Sequence, residues 1–283
     1  MPVSRFTAAL RFSARRSARL AAVLALTYGL AACAASEPKT VPDAPPETLF
    51  NRAMSELTIN RNPVEAIKYF DEVDRQHPYS VWANKAQLMS AYALYASNKY
   101  EQALTALDRF IQLHPGSRDA PYAYYLKALC YYERITDISR DQEITQQAMA
   151  GLQDVVRRFP DSQYARDAQI KIDLTRDHLA GKEMDIGRFY MKRNQYLAAI
   201  NRFRRVVEVY QTTSHVPEAL ERLTEAYLTI GLTEEAQASA AVLGHNFPGS
   251  DWYVDAYNLL TGANLEPKES QTSWLGRVWN SVF

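Results

Sequence analysis

Cysteine, glycine and excess charge are all scarce in this chain, and each shortage closes off a class of protein. Two of 283 residues are cysteine, Cys33 and Cys130. That is too few for a disulfide-stapled fold, and no CxxC spacing suggests a zinc or redox centre. Ten residues are glycine, and none belongs to a Gly-rich loop able to cradle a phosphate; GxSxG and HExxH runs are also missing. The 32 basic side chains equal the 32 acidic ones, so the surface excess of positive charge that marks a nucleic-acid binder is absent. The five histidines, His77, His114, His178, His215 and His245, fall near expected helix ends or on helix surfaces without metal-ligand spacing. His77 and His114 precede prolines, where an imidazole suits the negative end of a helix dipole. These absences predict a protein that is not an enzyme and holds no metal or cofactor.

Long apolar runs are missing as well. The longest, Leu20 to Leu30, is shorter than the roughly 20 residues that span a bilayer. It follows Arg5, Arg11, Arg15, Arg16 and Arg19, with no acid in between, and ends on Ala31-Ala32-Cys33. A basic start, a short apolar core and small residues at the cut describe a secretory signal. Half a disulfide, a metal ligand and the end of a membrane span compete for Cys33 with a site of covalent processing. The last fits best, because "LAAC" resembles the bacterial lipobox. That resemblance implies S-diacylglycerol and N-acyl chains on Cys33, and two or more chains anchor stably where one is marginal. An ordinary signal peptide with an incidental cysteine is the plainer alternative, and the residues after Arg15-Arg16 do not support twin-arginine export. Ala34 after the cysteine favours, by resemblance to sorted lipoproteins, the outer membrane. Without residues 1–32 the basic count falls from 32 to 27 against 32 acids, a net charge of −5. Cys130 is then left without an intramolecular partner and reads as a buried core thiol.

From Ala34 to Glu47 the chain carries Pro38, Pro42, Pro45 and Pro46, an extended tether. Beyond it the sequence repeats. "HPYSVWA", "HPGSRDA", "FPDSQYA" and "FPGSDWY" each carry Pro-x-Ser, at Pro78/Ser80, Pro115/Ser117, Pro160/Ser162 and Pro248/Ser250. Proline cannot continue the preceding helix, and serine can accept from the free amides that open the next. Between junctions, Ala66, Ala103, Ala199 and Ala236 follow short turns with Asn or Gly, small residues where two antiparallel helices approach. Helix, tight turn, helix and proline junction at a period near 34 is the tetratricopeptide (TPR) signature. The fold expected is all-α: a right-handed α-solenoid of about five TPR helix pairs plus a closing helix. The pairs fall near 47–77, 80–113, 118–159, 162–211 and 215–247, with the closing helix beginning near Ser250. The run 133–147 lengthens a loop in the third repeat, and the fourth is stretched through 176–185; such insertions usually form loops, often on a binding face.

A solenoid of this kind binds along the surface lined by its first helices. Trp82, Tyr92, Tyr95, Tyr122, Tyr124, Tyr125, Tyr131 and Tyr132 concentrate there, and tyrosines outnumber phenylalanines 18 to 10. The residues leave two readings open, consensus packing between repeats or a peptide groove formed by Tyr92, Tyr95, Tyr122 and Tyr125. In "NRFRRVVEVY", Arg202, Arg204 and Arg205 are either solvated charge or, for Arg202, a partner contact made through its guanidinium fork.

Taken in order, the lipobox, "VPDAPPE", five repeats, "LDRFIQLHP", "YAYYLKAL", "FPDSQYARDA" and "NRF" resemble the BamD (ComL) family, lipoproteins of the β-barrel assembly machinery. The resemblance implies an outer-membrane scaffold facing the periplasm that binds unfolded outer-membrane proteins in its N-terminal repeats. It implies docking of the C-terminal repeats on BamA, with Arg202 in the docking region, and contact with other subunits of the complex. A TPR pilotin-type lipoprotein escorting secretin or pilus subunits is the alternative.

The organisation expected is a signal peptide over 1–32, the lipidated Cys33 and tether over 33–46, the solenoid over 47–262 and a tail over 263–283. In the tail, Trp274, Leu275, Val278 and Trp279 are spaced for one apolar helical face, suited to covering the end of the solenoid. If lipid on Cys33 is the dominant anchor, Cys33→Ser releases the chain to the soluble fraction of a cell extract. Retention of the unlipidated chain on membranes overturns that reading.

Overall fold

The computed structural model describes residues 41–138, 140–270 and 273–279; Cys33 and the signal segment lie outside them. The chain divides into two units, Met1–Pro45 and Pro46–Phe283, and every described helix belongs to the second. Five helix pairs run in order: α1 (Pro46–Thr58) with α2 (Pro63–Gln76), α3 (Val81–Ala96) with α4 (Tyr100–Leu113), α5 (Ala120–Tyr132) with α6 (Glu143–Arg158), α7 (Gln163–Met191) with α8 (Tyr196–Val209), and α9 (Val216–Thr229) with α10 (Thr233–Asn246). Then come α11 (Asp251–Gly262) and the short α12 (Trp274–Trp279). No strand occurs among the described residues, and none of their helices is long and apolar enough to cross a membrane.

From α1 to α10 each helix packs on the next, and the first helices of neighbouring pairs also meet: α1 with α3, α3 with α5, α5 with α7, and α9 with α11. This is an all-α TPR solenoid. Its regularity comes from the turns. Left-handed backbone recurs within four of the five pairs, at Arg61, Asn98, Asn194 and Gly231, a conformation that Gly and Asn adopt most readily. Just beyond each turn, Ala66, Ala103, Ala199 and Ala236 have no exposed surface. There the absence of a longer side chain lets the helix axes close up.

The junctions behave as expected at three of four sites. Ser80, Ser162 and Ser250 accept through their hydroxyls from the amides of Ala83, Ala165 and Tyr253 at 3.1, 3.1 and 3.2 Å. Ser117 differs. Its hydroxyl accepts from the Asp119 amide at 3.1 Å, and the helix starts at Ala120 without a side-chain cap. Pro121 sits in the first turn, where a missing amide costs nothing, so the start moves downstream of the serine.

The two irregular repeats depart from the period in different ways. In the third, the lengthened segment leaves the helix after Tyr132 and re-enters it at Glu143 as a loop. In the fourth, the stretch is not a loop but helix: α7 runs unbroken for 29 residues. The run 176–185 contains no proline, and a continuous helix keeps every backbone group paired. Two glycines let neighbours approach it. A Cβ at Gly187 would stand 2.3 Å from the Phe203 ring, and one at Gly181 would stand 3.2 Å from His215 Nε2. Phe203 is fully buried.

Among its described residues, the tail does not close the outer end of the solenoid. It seats instead on α8 and α10: Trp274 Nε1 donates to Glu208 Oε1 at 2.7 Å, its backbone amide donates to Glu235 Oε1 at 3.1 Å, and the Arg204 guanidinium lies 4.0 Å from its ring centroid. Leu275 is fully buried in the core shared by α7 to α11. Segment 263–270 is held along α10, where Gln237 Nε2 donates to the Glu266 carbonyl at 2.7 Å. The outer residues of α11, Val254 and Tyr257, stay exposed.

Gly187→Ala is expected to destabilise the fold by about 1–3 kcal/mol through overpacking, despite alanine's better helix propensity. Thermal unfolding checks this, and an unchanged midpoint shows that Phe203 yields.

Candidate binding surface

The four tyrosines singled out from the sequence come from two first helices, and the fold brings them into one ladder. Tyr92 and Tyr95 on α3 have ring centroids 6.3 Å apart, and Tyr95 meets Tyr100 of α4 edge-on at 5.8 Å. On α5, Tyr122 and Tyr125 both contact Tyr164 of α7, at 5.3 and 5.4 Å. Upstream, Trp82 lies 5.0 Å from Phe50 of α1, and Lys85 approaches the Trp82 ring at 5.3 Å. Aromatic pairs of this kind contribute about 0.5–1.5 kcal/mol each beyond their buried area.

All four rings are half-buried and pack against the cores of repeats two to four. They therefore serve inter-repeat packing and still present part of each ring to solvent. Two of the four hydroxyls are fixed by acids of the following elements: Tyr95 donates to Glu133 Oε1 at 3.2 Å, and Tyr125 donates to Asp167 Oδ2. Burial, then the neighbouring acids, hold the phenols of Tyr95 and Tyr125 far above the ordinary tyrosine range; burial and adjacent tyrosines do the same for Tyr122. Each stays a protonated donor at any physiological pH. Asp167, by contrast, is held below the usual carboxylate range by the Tyr125 hydroxyl and Lys171. The result is a strip of ring faces edged by anchored hydroxyls and by Lys171, whose ammonium lies 5.2 Å over Tyr132.

Tyr164 was not among the residues singled out, although the repeat register marks it. Trp82, Tyr164 and Trp252 each stand two residues after a junction serine, so aligning the junctions puts an aromatic at one repeated position. Glu133 and Asp167 carry no comparable signal, because their role depends on a partner 38 or 42 residues away.

Arg202 occupies a different place. Its Nη1 donates to Glu183 Oε2 of α7 at 3.1 Å, while Arg205 Nε lies 3.3 Å from the other oxygen of the same carboxylate. Glu183 is buried, and the two arginines neutralise it between them. Arg202 keeps 39% of its side chain exposed and lines a shallow surface depression with Tyr190, Ala198, Asn201 and Arg205. Arg204 is engaged with Trp274, as described above.

His77, His114 and Cys130 hold structural positions. His77 and His114 are the C-caps of α2 and α4, and His114 Nε2 meets Gln87 Oε1 at 3.1 Å. Cys130 is a free, fully buried thiol, pushed up to about 12 by burial. Among the described residues, no group of three or more His, Cys, Asp or Glu side chains is arranged to hold a metal ion.

Glu221 of α9 is a buried acid that sequence reasoning passed over. It is 4% exposed because α8, α10 and α11 all pack on α9, a crowding that cannot be read from the helix alone. Burial pushes its carboxyl up to about 7; Arg222 works against that shift, while Glu225, Asp255 and Glu218 add to it.

Ladder, ion pairs and repeats together define the class: a TPR solenoid with an aromatic first-helix face, a binding scaffold in form. Residues 42–261 match the family described as "YfiO: Outer membrane lipoprotein". The chain is 53% identical over 258 residues to the outer membrane protein assembly factor BamD of Caulobacter vibrioides, covering 90% of this chain and 84% of that one. It is 44% identical to BamD of Rickettsia prowazekii, covering 85% and 96%, and 33% identical to BamD of Neisseria meningitidis serogroup A, covering 83% and 94%. The chain belongs to the BamD family, whose members are named as assembly factors and not as enzymes.

The Glu221 geometry gives stability a pH dependence. A carboxyl that binds its proton more tightly folded than unfolded favours the fold at low pH. Stability from this group falls as pH rises from about 4.5 to about 7 and is level above that. Glu221→Gln is expected to raise stability at pH 8, by at most on the order of 3 kcal/mol, with the difference vanishing near pH 4.5. Denaturant titration at the two pH values checks it, and a constant difference removes Glu221 as the source.

Proposed function

We propose that this chain is the scaffold lipoprotein of an outer-membrane β-barrel assembly complex, anchored in the outer membrane by lipid on Cys33 and facing the periplasm. Its mechanism is binding: no bond is made or broken. The tyrosine ladder of repeats two to four receives extended segments of unfolded outer-membrane proteins, and the fourth and fifth repeats dock on BamA. The observation that carries the reading is the ladder itself, in a chain of the BamD family. Rings from α3, α5 and α7 line the first-helix face, in contact within α3 and between α5 and α7, and the hydroxyls of Tyr95 and Tyr125 are already committed to Glu133 and Asp167. What the strip chiefly offers is ring face, suited to aromatic and aliphatic side chains on an extended peptide.

For docking, Arg202 supplies a guanidinium that is ordered by Glu183 yet still partly open to solvent. An arginine pre-set by one carboxylate loses less side-chain entropy when it meets a second. The paired Arg205 shields Glu183 if Arg202 moves away to a partner.

Two experiments test the reading. In a Tyr92→Ala, Tyr122→Ala double variant that keeps its helical circular dichroism, binding of a C-terminal outer-membrane-protein peptide is expected to weaken by about 5- to 30-fold, the range for losing buried aromatic contacts. Unchanged affinity assigns those rings to packing alone. Arg202→Leu is expected to reduce co-purification of BamA in mild detergent while leaving thermal stability nearly intact, since Arg205 remains on Glu183. Undiminished co-purification removes Arg202 from the docking surface.

A further inference from the structure

The charged groove between α9 and α11 plays no part in the surface described above. It is lined by Glu221, Arg222 and Glu225 of α9 and by Asp255, Asn258 and Leu259 of α11. Glu221 is 96% buried, and its Oε2 accepts no hydrogen bond. Arg222 Nε stands 3.3 Å from that same oxygen as an ion pair, but that guanidinium is divided among several acids. Its Nη1 donates to Glu225 Oε2 at 2.8 Å, and its Nε is also 4.0 Å from Glu218. Glu218 in turn is held by Arg188 of α7 through two bonds of 2.9 Å. Three carboxylates, Glu218, Glu221 and Glu225, thus share two guanidinium groups, and with Asp255 also lining it the groove keeps surplus negative charge around an acid withdrawn from water. A buried carboxylate is stable only when paired and hydrogen-bonded, so a ligand able to donate to Glu221 is favoured there.

The chemistry of the groove narrows the ligand. The carboxylates are not arranged as a metal-ion cluster among the described residues. The rim is partly apolar: Leu259 lines the groove, and Val254 and Tyr257 stand exposed on the same helix, uncovered because the tail seats on α8 and α10. An acid at the base and a leucine at the rim match a side chain with an alkyl stem and a multidentate cationic head.

We propose that the groove between α9 and α11 docks an arginine side chain projecting from a partner protein, its guanidinium shared by Glu221 and Asp255 and its stem lying on Leu259. The proposal rests on the scaffold reading only in that a protein supplies the arginine.

The test uses the full lipidated chain in detergent micelles at pH 8, titrated with L-argininamide and watched by NMR at the Glu221 carboxyl and the Asn258 side-chain amide. Citrullinamide, which keeps the shape without the charge, is the comparator. Argininamide is expected to shift both signals saturably and citrullinamide to shift neither. Glu221→Gln, and Asp255→Asn on the exposed side of the groove, are each expected to weaken argininamide binding about tenfold, while Glu143→Gln on α6 leaves it unchanged. Equal affinity in wild type and Glu221→Gln, or an equal response to citrullinamide, overturns the proposal. The readout requires neither BamA nor a substrate peptide, so its failure and that of the proposed function are told apart.

Discussion

A pair of helices buries only one flank until the next pair stacks on it, and everything else in this molecule depends on that stacking. It requires close approach, which small residues provide where the chain turns back on itself. Ala66, Ala103, Ala199 and Ala236 are fully buried at equivalent points, and Gly187 admits the Phe203 ring where even a methyl group would collide. Once the pairs are stacked, their first helices form one face, and side chains far apart in sequence become neighbours. Tyr95 reaches Glu133 and Tyr125 reaches Asp167 across repeat boundaries.

The same rings therefore hold the repeats together and form the surface proposed to bind peptide. A groove made from inter-repeat packing is rigid before a ligand arrives, which lowers the entropic cost of binding. The two irregular repeats add local features to this regular frame. The third carries a loop between its helices, and the fourth extends its first helix, so that Glu183 can be clasped by Arg202 and Arg205. The tail, joined to α8 and α10 through Trp274, leaves α11 with one face uncovered.

Much of this was legible in the chain. The Pro-x-Ser junctions marked the boundaries between pairs, because proline stops a helix and serine caps the next one. The Asn and Gly turns announced themselves too, since few other residues tolerate left-handed backbone. Where a local rule competed with another, the sequence was ambiguous. Ser117 looks like the other junction serines, but Pro121 shifts the helix start beyond it. The stretch 176–185 looked like a loop insertion, yet it contains no proline, and α7 passes through it.

Local rules in the sequence determined the helical repeats, their turns and the absence of catalytic or metal-binding motifs, because each depends on residues within a few positions of one another. Membership of the BamD family rests on order and identity along most of the chain, and so was also in the sequence. Tertiary structure alone decided which rings meet Tyr164, which acids hold their hydroxyls, that Arg202 is paired with Glu183, and that Glu221 is buried. Those outcomes depend on how one repeat is placed against the next, a relation set by packing across tens of residues and carried by no single stretch of the chain.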